Sequence, residues 1–199
     1  MTKPYKIENE RKPEHDVNEI FIKRWSPRSI DKKNFTHEEL MSLFEAARWA
    51  PSSFNIQPWR FLYSMNGDEN WATFFGLLAE FNQIWTKDAG ALVVVLSKKT
   101  NNEGKPNALH SFDTGSAWMS LALQARMKNL IAHGMAGFDY EKAKDILNVP
   151  DDYNVEAMLA VGTQGEVENL HERMQKSEKP NERKYVKEFT FKGKFPKIE

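Results

Sequence analysis

Ala50-Pro51-Ser52-Ser53-Phe54-Asn55-Ile56-Gln57-Pro58-Trp59-Arg60 links a helical pattern to a strand-like one and crowds two prolines, two serines and two amides into a short turn. Pro51 disfavours the α conformation in the residue before it, so the preceding helix must stop there. The two prolines fix local geometry while hydroxyls, amides and backbone N–H groups converge between them. Such a loop has the donors and acceptors to read the edge of a planar heterocycle. It reads equally well as a connection in which Ser and Asn cap backbone groups.

Upstream, Thr36-His37-Glu38-Glu39 has the spacing of a capping box, and Leu40, Leu43, Phe44 and Ala47 recur at helical intervals behind it. Earlier still, a short helical pattern with Asp16 at its N-cap and Ile20, Phe21 and Ile22 on its apolar side ends at Arg24-Trp25-Ser26-Pro27-Arg28. Two guanidinium groups and a hydroxyl in five residues suit a phosphate, and they also suit an exposed helix end.

Downstream, residues 59–65 read as a strand and residues 71–82 as a helix. Residues 91–97 are an apolar, valine-rich run suited to a strand covered on both faces. Residues 113–128 form a long helical segment whose Ala117, Leu121, Ala122 and Ala125 make a small-residue face suited to a dimer core. A helix capped by Asp139 runs to residue 148, and residues 155–161 supply another strand. Past Gly165 the chain is strongly charged and has little with which to build a core, so residues 166–199 read as an arm laid on another surface. With no internal repeat, the pattern is one α+β domain preceded by a charged extension at residues 1–16.

Composition narrows the function. Lys+Arg and Asp+Glu are balanced at 28 each, so no basic field points to nucleic acid or an anionic membrane. Cysteine is absent, which removes disulfides and thiolate chemistry and makes the cytoplasm the simplest compartment. The N-terminal residues lack an apolar signal region, and no segment reaches the roughly 20 apolar residues that span a bilayer. The histidines at 15, 37, 110, 133 and 171 lack helical ligand spacing, so no metal site is expected. Trp49, Trp59, Trp71, Trp85 and Trp118 read as core aromatics. Asp113-Thr114-Gly115-Ser116 is also the active-site sequence of aspartic proteases, but it opens a helical pattern with Asp113 as N-cap, whereas that motif belongs on a loop between strands.

The order of the two motifs, residues 24–28 and then 50–59, resembles the signature of the FMN-dependent nitroreductase family. The resemblance continues through Phe81-Asn82, residues 88–95, the 113–128 helix, Gly134-Met135-Ala136-Gly137-Phe138 and Arg183-Lys184, and so spans about residues 17–195. It implies an FMN-binding domain over residues 17–199, with a central, mostly antiparallel sheet flanked by helices. In the homodimer that it also implies, the C-terminal segment wraps the partner.

By that similarity Arg24, Trp25, Ser26 and Arg28 would bind FMN, with Arg183 and Lys184 closing on the phosphate. Pro51, Ser52, Ser53 and Asn55, with Gln57 beside them, would reach the flavin from the other subunit. Asn82 would bond the ring, and Gly134 and Met135 would run beside it. The backbone of Ala136 and Gly137 would approach N5 and O4, and Arg28 would stabilise the reduced flavin. The activity implied is ping-pong transfer of hydride from NADH or NADPH, each a transient visitor, through FMN to an electron-poor acceptor such as a nitroaromatic or quinone. No Gly-rich dinucleotide fingerprint follows a strand, which fits a nicotinamide without its own site. Several family members carry an acid at the Ala136 position and a second base at the Arg28 or Trp85 position; the alanine and tryptophan of this chain at 136 and 85 bear on substrate range. A non-catalytic flavin carrier or sensor would keep the same site.

Overall fold

The valine-rich run lies at the centre of the molecule, of which this computed structural model describes residues 10–196. It forms β3 (Ala91–Lys98), whose Leu92, Val94 and Leu96 enter one apolar layer and whose Ala91, Val93 and Val95 enter another. A strand buried on both faces needs apolar residues at every position, which explains the unbroken run. On its flanks are β2 (Trp59–Met65), which pairs Trp59 with Ser97 and Met65 with Ala91, and β5 (Tyr153–Gln164), which pairs Val161 with Ala91. The two-residue β1 (Ile30–Asp31) and β4 (Leu130–Met135) also pair with β5. Every pairing is antiparallel and the order is β1-β5-β3-β2, with β4 joined to β5. The α+β class and the antiparallel sheet are as expected.

One layer is closed by α2 (His37–Arg48) and α5 (His110–Met127). The capping box starts α2 as read: Glu39 N donates to Thr36 Oγ1 at 3.2 Å and Thr36 N to the Glu39 carboxylate at 2.9 Å. Leu40, Leu43 and Ala47 of α2 share that layer with Ala117, Leu121 and Ala125 of α5. The small-residue face of α5 therefore packs on this chain's own sheet, where small side chains allow close approach, and the expectation of a dimer core there is corrected.

Three further boundaries differ from expectation. The first helix, α1 (Glu19–Lys23), is capped by Asn18, whose side chain accepts from Ile20 N at 3.0 Å, in place of Asp16. Residues 71–82 break into α3 (Trp71–Phe75) and α4 (Glu80–Thr86). The backbone between them is engaged elsewhere: Ala79 N bonds Gly137 O at 3.0 Å and Leu77 O accepts from Asp139 N at 2.9 Å. Helix α5 begins three residues before Asp113, because Leu109 caps it and Asn107 Oδ1 accepts from Leu109 N at 3.1 Å. Asp113 lies buried inside that helix, so it is not the N-cap, and the four residues stand on a helix and not on the loop between strands that the protease motif requires.

The other layer gathers Phe74, Leu77, Trp85, Met135, Phe138 and Met158 with Ala143 of α6 (Tyr140–Ile146), which Asp139 caps as expected. Leu170 and Met174, the latter on α7 (Glu172–Gln175), join it, so the first part of the expected arm packs on its own chain. From residue 181 to 196 the chain is almost wholly exposed, with Tyr185, Phe189, Phe191 and Phe195 uncovered. Trp49, which reads as core in the sequence, is 73% exposed at the end of α2. Among the described residues no helix is long and apolar enough to cross a membrane.

Candidate functional site

Alternation decides which side chains residues 24–28 present. Arg24 leaves α1 in extended backbone, φ −73° and ψ 123°, and successive side chains of an extended chain point to opposite sides. Trp25 and Pro27 are buried; Arg24, Ser26 and Arg28 are half-buried, with Arg24 Nη1 3.4 Å from Ser26 Oγ. Trp25 thus anchors the segment, which leaves its backbone as the part able to meet a ligand. The Arg28 guanidinium carbon lies 5.8 Å from the centre of the Phe81 ring, and its Nε is buried with no hydrogen-bond partner among the described residues. A buried donor left unmade costs about 1–3 kcal/mol, which a ligand can recover.

The segment is fixed from three directions. His133 on β4 donates through Nδ1 to the Pro27 carbonyl at 2.8 Å, the tautomer following from the acceptor it faces, and Trp85 packs on it with ring centroids 4.5 Å apart. Burial, reinforced by Arg28 and Arg24 and opposed by the bond to Pro27, pushes His133 down to about 4, so it is neutral at pH 7. Glu178 reaches in from the C-terminal segment, 5% exposed, and accepts from Arg28 N and Ser29 N at 2.7 Å each and from Ser29 Oγ at 2.8 Å. Arg11 donates to the carbonyls of Ile22 and Arg24 at 3.1 Å each and to that of Asn181 at 2.6 Å. The positive charges of Arg183 and Arg24 both bear on Arg11.

The glycine segment meets this edge through α4. Asn82 donates from Nδ2 to Gly137 O at 2.9 Å and accepts from Trp85 Nε1 at 3.2 Å. A Cβ on Gly137 would stand 2.7 Å from Asn82 Nδ2, closer than real side chains come, so glycine is what lets the amide sit there. Gly134 is constrained by Trp118, which a Cβ would meet at 3.2 Å, and Met135 is buried in the core, while Ala136 and Gly137 are exposed. Contacts through Pro27, His133, Trp85, Asn82 and Phe81 therefore bring residues 24–28, α4 and residues 134–137 into one neighbourhood.

Residues 51–57 are built differently. Phe54, Asn55 and Gln57 all have positive φ, at 49°, 55° and 53°, unusual for residues with a Cβ. Gln57 N donates to Ser52 Oγ at 3.0 Å, Gln57 Nε2 to Asn55 O at 2.8 Å, and Ser53 N to the buried Asp113 Oδ2 at 3.1 Å. Ser52 and Gln57 thus hold the loop's shape, Phe54 and Asn55 are exposed, and so is Pro51. The loop's anchor is α5, on the other layer from α4. Of the C-terminal pair, Arg183 couples to Arg11, and Lys184 is exposed.

Sequence reasoning missed Arg11, Glu178 and the positioning role of His133. Strand β4 was missed too, although Asn129, at φ 57°, marks the sharp exit from α5 that starts it.

Known proteins share this fold. The nitroreductase family model matches residues 22–70 and 68–163. A solved structure of an oxidoreductase containing FMN is 40% identical, with a TM-score of 0.91 over 96% of this chain and 99% of that one. A protein from Desulfovibrio desulfuricans, solved in complex with FMN, shares the fold at 22% identity with a TM-score of 0.69, over 89% of this chain and 96% of its own. An oxygen-insensitive NADPH nitroreductase of Helicobacter acinonychis is 38% identical over 95 residues, 47% of this chain and 42% of that protein. With the family model spanning both the arginine edge and the sheet, this chain belongs to the nitroreductase family.

Proposed function

We propose that the chain is an FMN-dependent oxidoreductase that takes hydride from NADH or NADPH and delivers it to an electron-poor acceptor such as a nitroaromatic or quinone, by a ping-pong cycle. The observation that carries this is the convergence of the Arg24/Ser26/Arg28 edge on the Asn82–Gly137 contact. The residues fit the cofactor: Arg28 Nε is a buried donor in want of an acceptor, and the backbone of Ala136 and Gly137 is exposed to a ligand. When bound, FMN supplies the hydride chemistry. Arg24 and Ser26, with Arg183, would hold the phosphate, since guanidinium groups match its oxygens in geometry and charge. Arg28 places a fixed cation at the pyrimidine edge, where it favours added negative charge without reorganisation. His133, neutral, holds the Pro27 carbonyl and adds no charge of its own.

The functional unit in this proposal is a homodimer in which Pro51, Ser52, Ser53 and Asn55 come from the partner. Exposed Trp49, Phe54 (97%) and Phe112 (74%), together with the aromatic residues of the C-terminal segment, leave apolar surface that a second copy would cover.

The test is spectroscopic. The purified protein should be yellow or take up added FMN, and should bleach when NADH or NADPH is added without oxygen. Arg24→Ala and Arg28→Ala should lose flavin yet stay folded. A colourless protein that refuses FMN would sink the proposal, a yellow one that never bleaches would make it a carrier, and stoichiometric flavin in both variants would refute the site assignment.

A further inference from the structure

The N-terminal residues hold the C-terminal segment beside the end of α1. Arg11 Nε bonds Asn181 O at 2.6 Å across 170 residues of sequence, and Val186 N donates to Glu14 Oε2 at 2.7 Å. With its other arm Arg11 occupies the carbonyls of Ile22, in the last turn of α1, and of the C-cap Arg24. Those carbonyls matter because a helix C-terminus carries partial negative charge and would repel an anion bound next to it. A guanidinium across them removes the repulsion and leaves a cationic surround.

We propose that Arg11 is a positioning residue for the phosphate end of the site: it covers the carbonyls at the end of α1 and fixes the C-terminal segment so that Arg24 and Arg183 share one phosphate monoester. The inference rests on the flavin proposal above. Three guanidinium groups drawn together repel one another, and burial followed by the charges of Arg183 and Arg24 holds Arg11 below its ordinary value, with Glu182 opposing. A phosphate dianion among them turns that repulsion into attraction. Lysine could not replace Arg11, because one ammonium lacks the planar fork that reaches Ile22, Arg24 and Asn181 together.

FMN and riboflavin differ by the phosphate alone, so their relative affinity isolates this end of the site. Apoprotein should be titrated with each flavin by fluorescence quenching, for wild type, Arg11→Ala, Arg11→Lys and Glu14→Gln. Arg11→Ala should weaken FMN about tenfold or more, the scale of lost charge-assisted hydrogen bonds, and change riboflavin less than about threefold. Arg11→Lys should recover only part of the loss, and Glu14→Gln should weaken FMN more mildly. An unchanged FMN-to-riboflavin ratio in Arg11→Ala, or equal loss of both flavins, would overturn the role of Arg11 while leaving the flavin proposal intact. Wild type that binds neither flavin would overturn both.

Discussion

Acid should destabilise this protein through one part-buried imidazole. His133 is pushed from its ordinary value near 6.5 to about 4, first by burial and then by the charges of Arg28 and Arg24, against the pull of its bond to Pro27. A base whose folded value is depressed binds fewer protons folded than unfolded between those two values, so stability rises with pH across that window and is lost as pH falls through it. Above about 6.5 the ring is neutral in both states and has no effect. A tenfold change in proton affinity between the two states is worth about 1.4 kcal/mol, so the full loss at low pH is about 3 kcal/mol, of which about 2 kcal/mol should already be gone at pH 5. Urea unfolding of flavin-free protein at several pH values between about 7 and 4.5 would measure this, with His133→Asn as the comparison. Asparagine keeps a donor for the Pro27 carbonyl and cannot titrate, so the variant should lose that much less stability on acidification. If wild type and His133→Asn fall in parallel with pH, the depressed imidazole is not the cause and the burial assigned to it between Trp85 and the arginines is wrong.

Two further substitutions probe the site's supports. Gly137→Ala should displace the Asn82 amide from both Gly137 O and Trp85, lowering the melting temperature by several degrees and weakening FMN; unchanged melting and affinity would show that the close approach is unnecessary. Asp113→Ala removes the acceptor for Ser53 N and should cost about 1–2 kcal/mol in chemical denaturation while loosening a loop already held at positive φ, and a neutral result would mean the loop is fixed by other contacts.

What could be read from the sequence was local. The capping box of α2 needs only Thr36 and Glu39, three residues apart, and the strand β3 needs only its own unbroken apolar run. Residues 24–28 and 51–57 stand out as candidates because their polar groups are concentrated in a few consecutive positions. The errors arose where distant backbone competed with local pattern. Residues 71–82 have helical composition throughout, yet the carbonyls and amides near Leu77 and Ala79 bond residues 137–139. Asp113 looks like an N-cap until Asn107 starts the helix earlier and Ser53 takes its carboxylate. Glu178 and Arg11 carry no signal at all in a charged stretch, since Glu178 bonds residues about 150 positions away and Arg11 ties backbone carbonyls near α1 to one 170 residues away.

The 51–57 loop links the fold to the proposed dimer by an energetic argument. Holding a residue with a Cβ in the left-handed region costs on the order of 1 kcal/mol, and three such residues lie within four positions here. Burial within the chain does not offset that for Phe54, whose side chain is 97% exposed. What fixes the shape is a set of bonds that includes Gln57 N to Ser52, Gln57 Nε2 to Asn55 O and Ser53 N to Asp113, the last anchored on a helix whose inner face is locked into the sheet. A strained, rigidly supported loop carrying an exposed aromatic has the character of a surface prepared for something outside the chain. This supports a pocket completed by a second copy, in which the strain is offset by burying Phe54 and by bringing Ser53 and Asn55 to the flavin.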